Sequence, residues 1–173
     1  MKKIALIYSF NTVKTRKAAE KIANEFGNET IEMLNAEDIN GEQFLSYDHL
    51  LLGLPTWFDG ELPNYWDEFV PELEDLDLKG KQIALFGLGD QKNYGENFGD
   101  ALGIMGAILE KCGAQLLGFT SSADYHFEGS AALRGDQFCG LLLDQENQAK
   151  LSEKRIKDWV IQLKKEFGFN KLP

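Results

Sequence analysis

Short apolar runs alternate along this chain with segments whose apolar residues recur at helical spacing. Ile4-Ala5-Leu6-Ile7-Tyr8 is apolar throughout, the pattern of a strand buried on both faces, and the polar stretch Ser9-Phe10-Asn11-Thr12 closes it. A helix follows, with Ala18, Ala19, Ile22 and Phe26 on one face and Gly27 as its stop. Thr30 to Leu34 is a weaker strand; His49 to Leu54 is a second buried one, ended by Pro55-Thr56-Trp57. Tyr65 to Leu73 carries Trp66, Phe69, Val70 and Leu73 at helical spacing. Gln82 to Gly87 is a third strong strand, closed by Gly89-Asp90. From about Phe98 a helix aligns Leu102, Met105, Ile108, Leu109 and Cys112 and stops at Gly113, and Gln115 to Phe119 is the next strand. Residues 120–137 read as an irregular excursion rich in Ser, Gly, Asp and aromatics, after which Phe138 to Leu143 resumes an apolar run. The last helix is expected to take Ser152 as N-cap, with Leu151 and Ile156 as a hydrophobic staple, and to run through Trp159, Val160, Leu163 and Phe167 to Gly168.

Strands apolar on both faces, alternating with helices, imply a parallel sheet covered on both sides. Right-handed crossovers then give a three-layer, doubly wound α/β sandwich. No linker, repeat or low-complexity tract divides residues 1–173, so one domain is expected. In such a sheet ligands bind beyond the carboxyl ends of the strands, where the strand order switches. Three segments lie there: Ser9 to Thr15, Pro55 to Gly60, and Leu88 to Asn97.

The first segment leads into a helix N-terminus, whose free N–H groups and dipole favour an anion. With Asn11 and the hydroxyls of Thr12 and Thr15 it suits a phosphate, although the same composition serves as an ordinary helix cap. Neither GxxxxGK[ST] nor GxGxxG is present. The second segment carries Trp57 and Phe58 beside Asp59-Gly60, and the third carries Tyr94. Each aromatic loop alone is compatible with a local apolar roof. Two of them flanking a phosphate-type loop point to a flat aromatic ligand with a phosphate tail.

Composition narrows the partners. Of the 173 residues 43% are hydrophobic and charge is spread along the length, which excludes a disordered chain. A net charge of −10 argues against nucleic acid and against an anionic membrane. Between Asp59 and Leu78 lie Asp59, Glu61, Asp67, Glu68, Glu72, Glu74, Asp75 and Asp77, with no lysine or arginine. That run is either a solvated helix face or, since it follows Trp57, an acidic rim beside the ligand. No stretch approaches the ~20 apolar residues of a membrane span, and the start lacks the apolar length of a signal peptide, so a cytoplasmic protein is expected. Cys112 and Cys139 form no CxxC pair and read as reduced packing thiols; His49 and His126 are isolated, and no metal site is expected.

Three stretches resemble flavodoxins: Leu51-Leu52-Gly53-Leu54-Pro55-Thr56-Trp57, Phe86-Gly87-Leu88-Gly89-Asp90-Gln91 with Tyr94, and Leu143-Asp144-Gln145-Glu146-Asn147-Gln148. The excursion near 120–140 resembles the insertion of the long-chain subgroup, and the resemblance covers essentially the whole chain. It implies a flavodoxin-like, five-stranded parallel sheet of order 2-1-3-4-5, its last strand interrupted by the insertion. It also implies FMN as cofactor and a low-potential one-electron carrier without substrate turnover of its own. Such a carrier acts as a monomer between reductase donors and oxidoreductase acceptors that present basic docking faces.

The same resemblance assigns the cofactor contacts. Ser9, Phe10, Asn11, Thr12, Val13, Lys14 and Thr15 would wrap the phosphate, and Thr56 and Glu146 would lie near the ribityl chain. Trp57 and Tyr94 would stack on the two faces of the ring, and Asp90 with the backbone of Leu88 and Gly89 would meet its pyrimidine edge. Pro55, Phe58, Gly60 and Asn97 complete the lining. A backbone flip near Phe58-Asp59 is expected to bond N5–H of the one-electron-reduced ring, and the aromatics and acids around the ring lower its potential.

Two positions depart from the family. Its phosphate loop usually reads Thr-x-Thr-Gly-x-Thr, whereas Phe10 here lacks the hydroxyl and Val13 stands at the glycine. If that glycine needs a positive φ, Val13 costs ~1–3 kcal/mol, so either the loop takes another path or phosphate binding weakens. Lys14 is expected to face solvent. Phe58 is bulky where a small or polar residue is common, which bears on the N5 contact. Two other readings stay open: an FMN-dependent NAD(P)H quinone or nitro reductase on this scaffold, and a binding module that has lost FMN.

Overall fold

The computed structural model describes residues 3–57 and 59–169. The apolar runs form β1 (Ile4–Tyr8), β3 (His49–Gly53) and β4 (Gln82–Leu88), with β2 (Ile31–Asn35) at one edge and β5 (Gln115–Leu117) towards the other. All pair in parallel in the order β2-β1-β3-β4-β5. The crossovers carry α1 (Lys14–Phe26), α3 (Asn64–Glu74) and α4 (Asp100–Lys111), and α5 (Ala149–Glu166) follows the last strand.

Alternation along each strand divides the interior into two cores. Ala5, Ile7, Leu50, Leu52, Ile83 and Leu85 face α3 and α4, while Ile4, Leu6, Leu51, Ala84 and Phe86 face α1 and α5. Each core has one fully buried indole whose N–H is satisfied by a backbone carbonyl: Trp66 donates to Gly53 O at 3.0 Å and Trp159 to Gly118 O at 2.8 Å.

The outer position beside β4 is shared by two pieces of chain. β5 pairs with Gln82–Ala84, and β9 (Leu141–Leu143) continues the ladder opposite Phe86–Leu88. The last strand is therefore interrupted, as the resemblance implies. The intervening residues are more regular than their composition suggests: β6 (Thr120–Ser121), β7 (Leu133–Arg134) and β8 (Gln137–Phe138) form a small antiparallel sheet of order β6-β8-β7. The apolar run from Phe138 to Leu143 is correspondingly not one strand. It breaks at Cys139-Gly140, where a Cβ on Gly140 would stand 2.2 Å from Leu85 O.

Two further expectations are corrected. The last helix begins at Ala149, not after Ser152; Ser152 is buried inside it with its hydroxyl on Gln145 Oε1, and Leu151 is exposed, so the staple does not form. A short helix, α2 (Gly41–Leu45), also appears without an apolar stripe to announce it, started by Asn40, whose Oδ1 accepts from Gln43 N at 2.9 Å. Both thiols are free: Cys139 is buried and donates to Leu102 O, and half-buried Cys112 donates to Leu73 O.

The excursion docks on α4 through Gly103, where a Cβ would lie 2.0 Å from Ala131 O and 2.8 Å from Ala132 N. Backbone on both sides leaves nothing to yield. Gly103→Ala is expected to cost ~2 kcal/mol, read as a lower urea midpoint with an unchanged slope; an unaltered midpoint would show that the excursion is not seated there.

Candidate functional site

The three loops at the carboxyl ends of β1, β3 and β4 converge, joined by the segment after β9. They enclose a cavity of about 510 Å3 lined by Thr12 to Thr15, Pro55, Thr56, Trp57, Leu88, Gly89, Asp90, Tyr94, Gln145 and Glu146. A second cavity of about 520 Å3 shares Thr56, Trp57, Gly89, Asp90 and Tyr94 with it and extends to Asn97 and Gly99. Trp57 and Tyr94 thus border the same space: Trp57 is half-buried, packed against the edge of the core on the α3 and α4 side, and Tyr94 is 59% exposed.

Trp57 is held on both sides. Its backbone makes a two-way bridge with Glu61, N to O at 2.9 Å and O to N at 2.7 Å, and Gly60 beside that bridge turns with φ 95°. Tyr65 meets the indole edge-on, with ring centroids 5.9 Å apart. The Tyr65 phenol is pushed well above its ordinary range, first by burial and then by the Glu37 carboxylate. Gly60 itself lies outside the cavities, against Asn97 and Asp100. Phe58, with the backbone flip expected beside it, lies outside the described residues.

The loop carrying Tyr94 is braced from three directions. Asp90 accepts from the amides of Lys92 and Asn93, from Asn93 Nδ2 and from Asn147 Nδ2, all between 2.8 and 3.1 Å. Burial raises its carboxyl, but these hydrogen bonds outweigh that effect and hold it below the usual carboxylate range. The carboxylate is thus engaged within the protein, and backbone at Leu88 to Asp90 is what remains for a ligand's edge. Fully buried Asp144 ties this loop to the segment after β9: it accepts from Gln91 N at 3.0 Å and from Asn147 N at 3.0 Å. The excursion adds the third support, since Gly95 O accepts from Glu128 N and Gly129 N, and Gln91 Oε1 accepts from His126 N at 2.6 Å.

The first loop differs most from expectation. Thr12, Val13, Lys14 and buried Thr15 line the cavity, whereas Ser9, Phe10 and Asn11 do not. Ser9 Oγ and Asn11 Nδ2 both donate to Glu37, at 2.8 and 2.6 Å, and the Phe10 ring lies against Tyr8 at 5.1 Å. Thr12 Oγ1 donates to Ser9 O at 2.7 Å. Val13 takes φ −98° and ψ −58°, so no positive φ is demanded of it and the feared strain is absent. Lys14 is exposed, as expected, and it also pairs with the exposed Glu146, the carboxylate facing it across the cavity mouth.

The arrangement provides a slot walled by two aromatics, polar backbone at one side, and a helix start with hydroxyls and a lysine at one end. Sequence reasoning missed Gln145 as a lining residue and missed Asp144 and Glu37 as supports. Asp144 stood within a motif without a role, and nothing marked Glu37 until β1 and β2 paired and set Tyr8 beside Asn35. Beside the acidic run, Asp59, Glu61, Asp67, Glu68, Glu72, Glu74, Asp75 and Asp77 are all exposed, and none has an ion-pair partner among the described residues. No group of three or more His, Cys, Asp or Glu side chains among the described residues could hold a metal ion, and no described helix is long and apolar enough to cross a membrane.

Comparison with known proteins agrees with this architecture. The sequence model of the flavodoxin family matches residues 6–159. A flavodoxin of Nostoc sp. is 43% identical over 167 residues, covering 96% of this chain and 98% of the relative, and Escherichia coli flavodoxin 1 is 38% identical over 168 residues, covering 96% of each. Among solved structures, Fusobacterium nucleatum flavodoxin bound to flavin mononucleotide superposes with a TM-score of 0.90 at 33% identity, covering 96% of this chain and 99% of that one.

Proposed function

This chain belongs to the flavodoxin family, and from that premise we propose that the cavity between Trp57 and Tyr94 is its FMN site. The protein is an FMN-dependent electron carrier and not an enzyme with a substrate of its own. One observation carries the site assignment: an exposed tyrosine and a half-buried tryptophan from separate loops border one slot that ends at a helix start. A volume of about 510 Å3 falls within the roughly 300–1,000 Å3 usual for small-molecule sites. The residues fit the cofactor at both ends, with rings for the isoalloxazine and donors at Lys14 and Thr15 for the phosphate, while the Thr12 hydroxyl donates to Ser9 O.

Bound there, FMN supplies the one-electron chemistry, and the protein sets its environment. Trp57 and Tyr94 exclude water from the two faces of the ring. The N–H groups that open α1 and the Thr15 hydroxyl would hold the phosphate, and Lys14 would add a positive charge while paired with Glu146. Exposed carboxylates at Asp59 and Glu61 disfavour additional negative charge on the ring, which lowers the potential of its most reduced form. Pro55 and Thr56 fix the wall beneath the ribityl chain; the Thr56 hydroxyl accepts from Ala101 N at 3.1 Å and so locks that wall to α4.

Redox partners follow from family membership. Their docking faces are basic on this reading, and the eight exposed carboxylates after Trp57 form the complementary rim. The carrier is monomeric, and its two free thiols suit the cytoplasm.

Two measurements test the proposal. Apoprotein titrated with FMN and with riboflavin is expected to bind FMN at least tenfold more tightly, the difference reporting the phosphate end of the cavity. Uptake of neither flavin, in a protein purified colourless, would leave only a binding module. Electron transfer from the loaded protein to a basic acceptor such as cytochrome c should slow about tenfold between ~10 mM and ~500 mM salt. A salt-independent rate removes the acidic rim from the account, and NADPH consumption without a reductase would instead mark an enzyme.

A further inference from the structure

The residues that open the first loop make contacts that serve no ligand directly. Ser9 Oγ and Asn11 Nδ2 converge on one oxygen, Glu37 Oε2, at 2.8 and 2.6 Å. Beside it, Asn35 Oδ1 accepts from Phe10 N and from Glu37 N, both at 3.2 Å. Three consecutive loop residues are thus fastened to the end of β2 and the turn that follows it. Thr12 then follows with both its amide and its hydroxyl on Ser9 O, and Val13 starts α1. The direction in which Thr12 to Thr15 enter the cavity is fixed by an anchor outside it.

We propose that Glu37 is a positioning residue for cofactor binding: a strut that holds the phosphate loop in shape where the loop lacks the usual glycine and threonine. The inference rests on the FMN reading above and extends it to a residue that touches no part of the cavity. The carboxylate has two effects of opposite sign. Its hydrogen bonds, one to a hydroxyl and one to an amide, are charge-assisted and organise the loop. Its negative charge also repels a phosphate, but Glu37 is exposed, so solvent and salt weaken that repulsion more than they weaken contacts at 2.6–2.8 Å. The strut wins.

Alanine and glutamine at position 37 separate the two effects, because the amide of glutamine keeps an acceptor oxygen and loses the charge. Full-length apoprotein is titrated with FMN and with riboflavin, following flavin fluorescence, and amide exchange is measured at residues 10–13. Glu37→Ala should weaken FMN about tenfold, leave riboflavin within about twofold, and speed exchange at residues 10–13. Glu37→Gln should restore FMN affinity to the wild-type level or above. If Glu37→Ala fails to fold, Asn11→Ala removes the other end of the same contact and should weaken FMN selectively. An unchanged FMN affinity, an equal loss for both flavins, or a glutamine variant as weak as the alanine one overturns the strut. Wild-type protein that takes up neither flavin overturns the FMN reading instead, and exchange at residues 10–13 in Glu37→Ala then still decides whether the loop is held from position 37.

Discussion

Replacing Trp57 and Tyr94 together by alanine is expected to weaken FMN binding by about a hundredfold or more. Each ring offers a flat apolar face, and an aromatic platform under a planar heterocycle contributes ~1–3 kcal/mol, with each 1.4 kcal/mol worth a factor of ten. The two contributions differ in origin. Trp57 is already oriented by Tyr65 and by the bridge to Glu61, so it adds stacking without much ordering cost. Tyr94 is 59% exposed and gains more by being covered. Both rings meet the same ligand, so the double loss falls short of or exceeds the sum of the single ones, and a double-mutant cycle reads the difference. Riboflavin should lose the same factor as FMN, since neither ring touches the phosphate end. A loss below about threefold in the double variant would mean that the cofactor lies elsewhere.

Asp144→Ala should lower stability by ~3 kcal/mol and weaken the cofactor as well. The carboxylate is fully buried and accepts from Gln91 N, Asn147 N and Asn147 Nδ2. Removing it strands a buried backbone donor at Gln91 and a half-buried one at Asn147, at ~1–3 kcal/mol for a buried group, and frees the loop that carries Tyr94. Asp144→Asn keeps one acceptor oxygen and should lose about half as much. Urea unfolding of the two variants gives the order, and a fall in stability with unaltered FMN affinity would show that the Tyr94 loop holds its shape without this tie.

The sheet was legible in the sequence because parallel strands buried on both faces leave uninterrupted runs such as Leu50-Leu51-Leu52, which few other structures require. Trp57 and Tyr94 were legible for a related reason: large aromatics in the loops past such strands lie at the ligand-binding end of the sheet, and neither is buried. The donors of the first loop were misjudged. Ser9 and Asn11 are polar residues before a helix in either role, and only the pairing of β1 with β2 brings Glu37 close enough to claim them. The fit of Val13 was equally invisible, since the demand for glycine depends on a φ value and this loop does not impose it. The helix start at Ala149 was missed because no capping side chain marks it. The small sheet of the excursion has strands of two residues each, too short to leave a period.

The order in which a ribosome releases this chain matters for the cavity. Both stacking residues and the phosphate loop emerge within the first hundred residues, together with four of the parallel strands. The wall at Gln145 and Glu146 and the buried carboxylate that fastens Gln91 emerge only after β9, which pairs with β4. A nascent chain halted near residue 140 therefore displays Tyr94 on a loop that lacks its tie to Asp144, and stable loading of the cofactor waits for the carboxy-terminal segment to leave the tunnel.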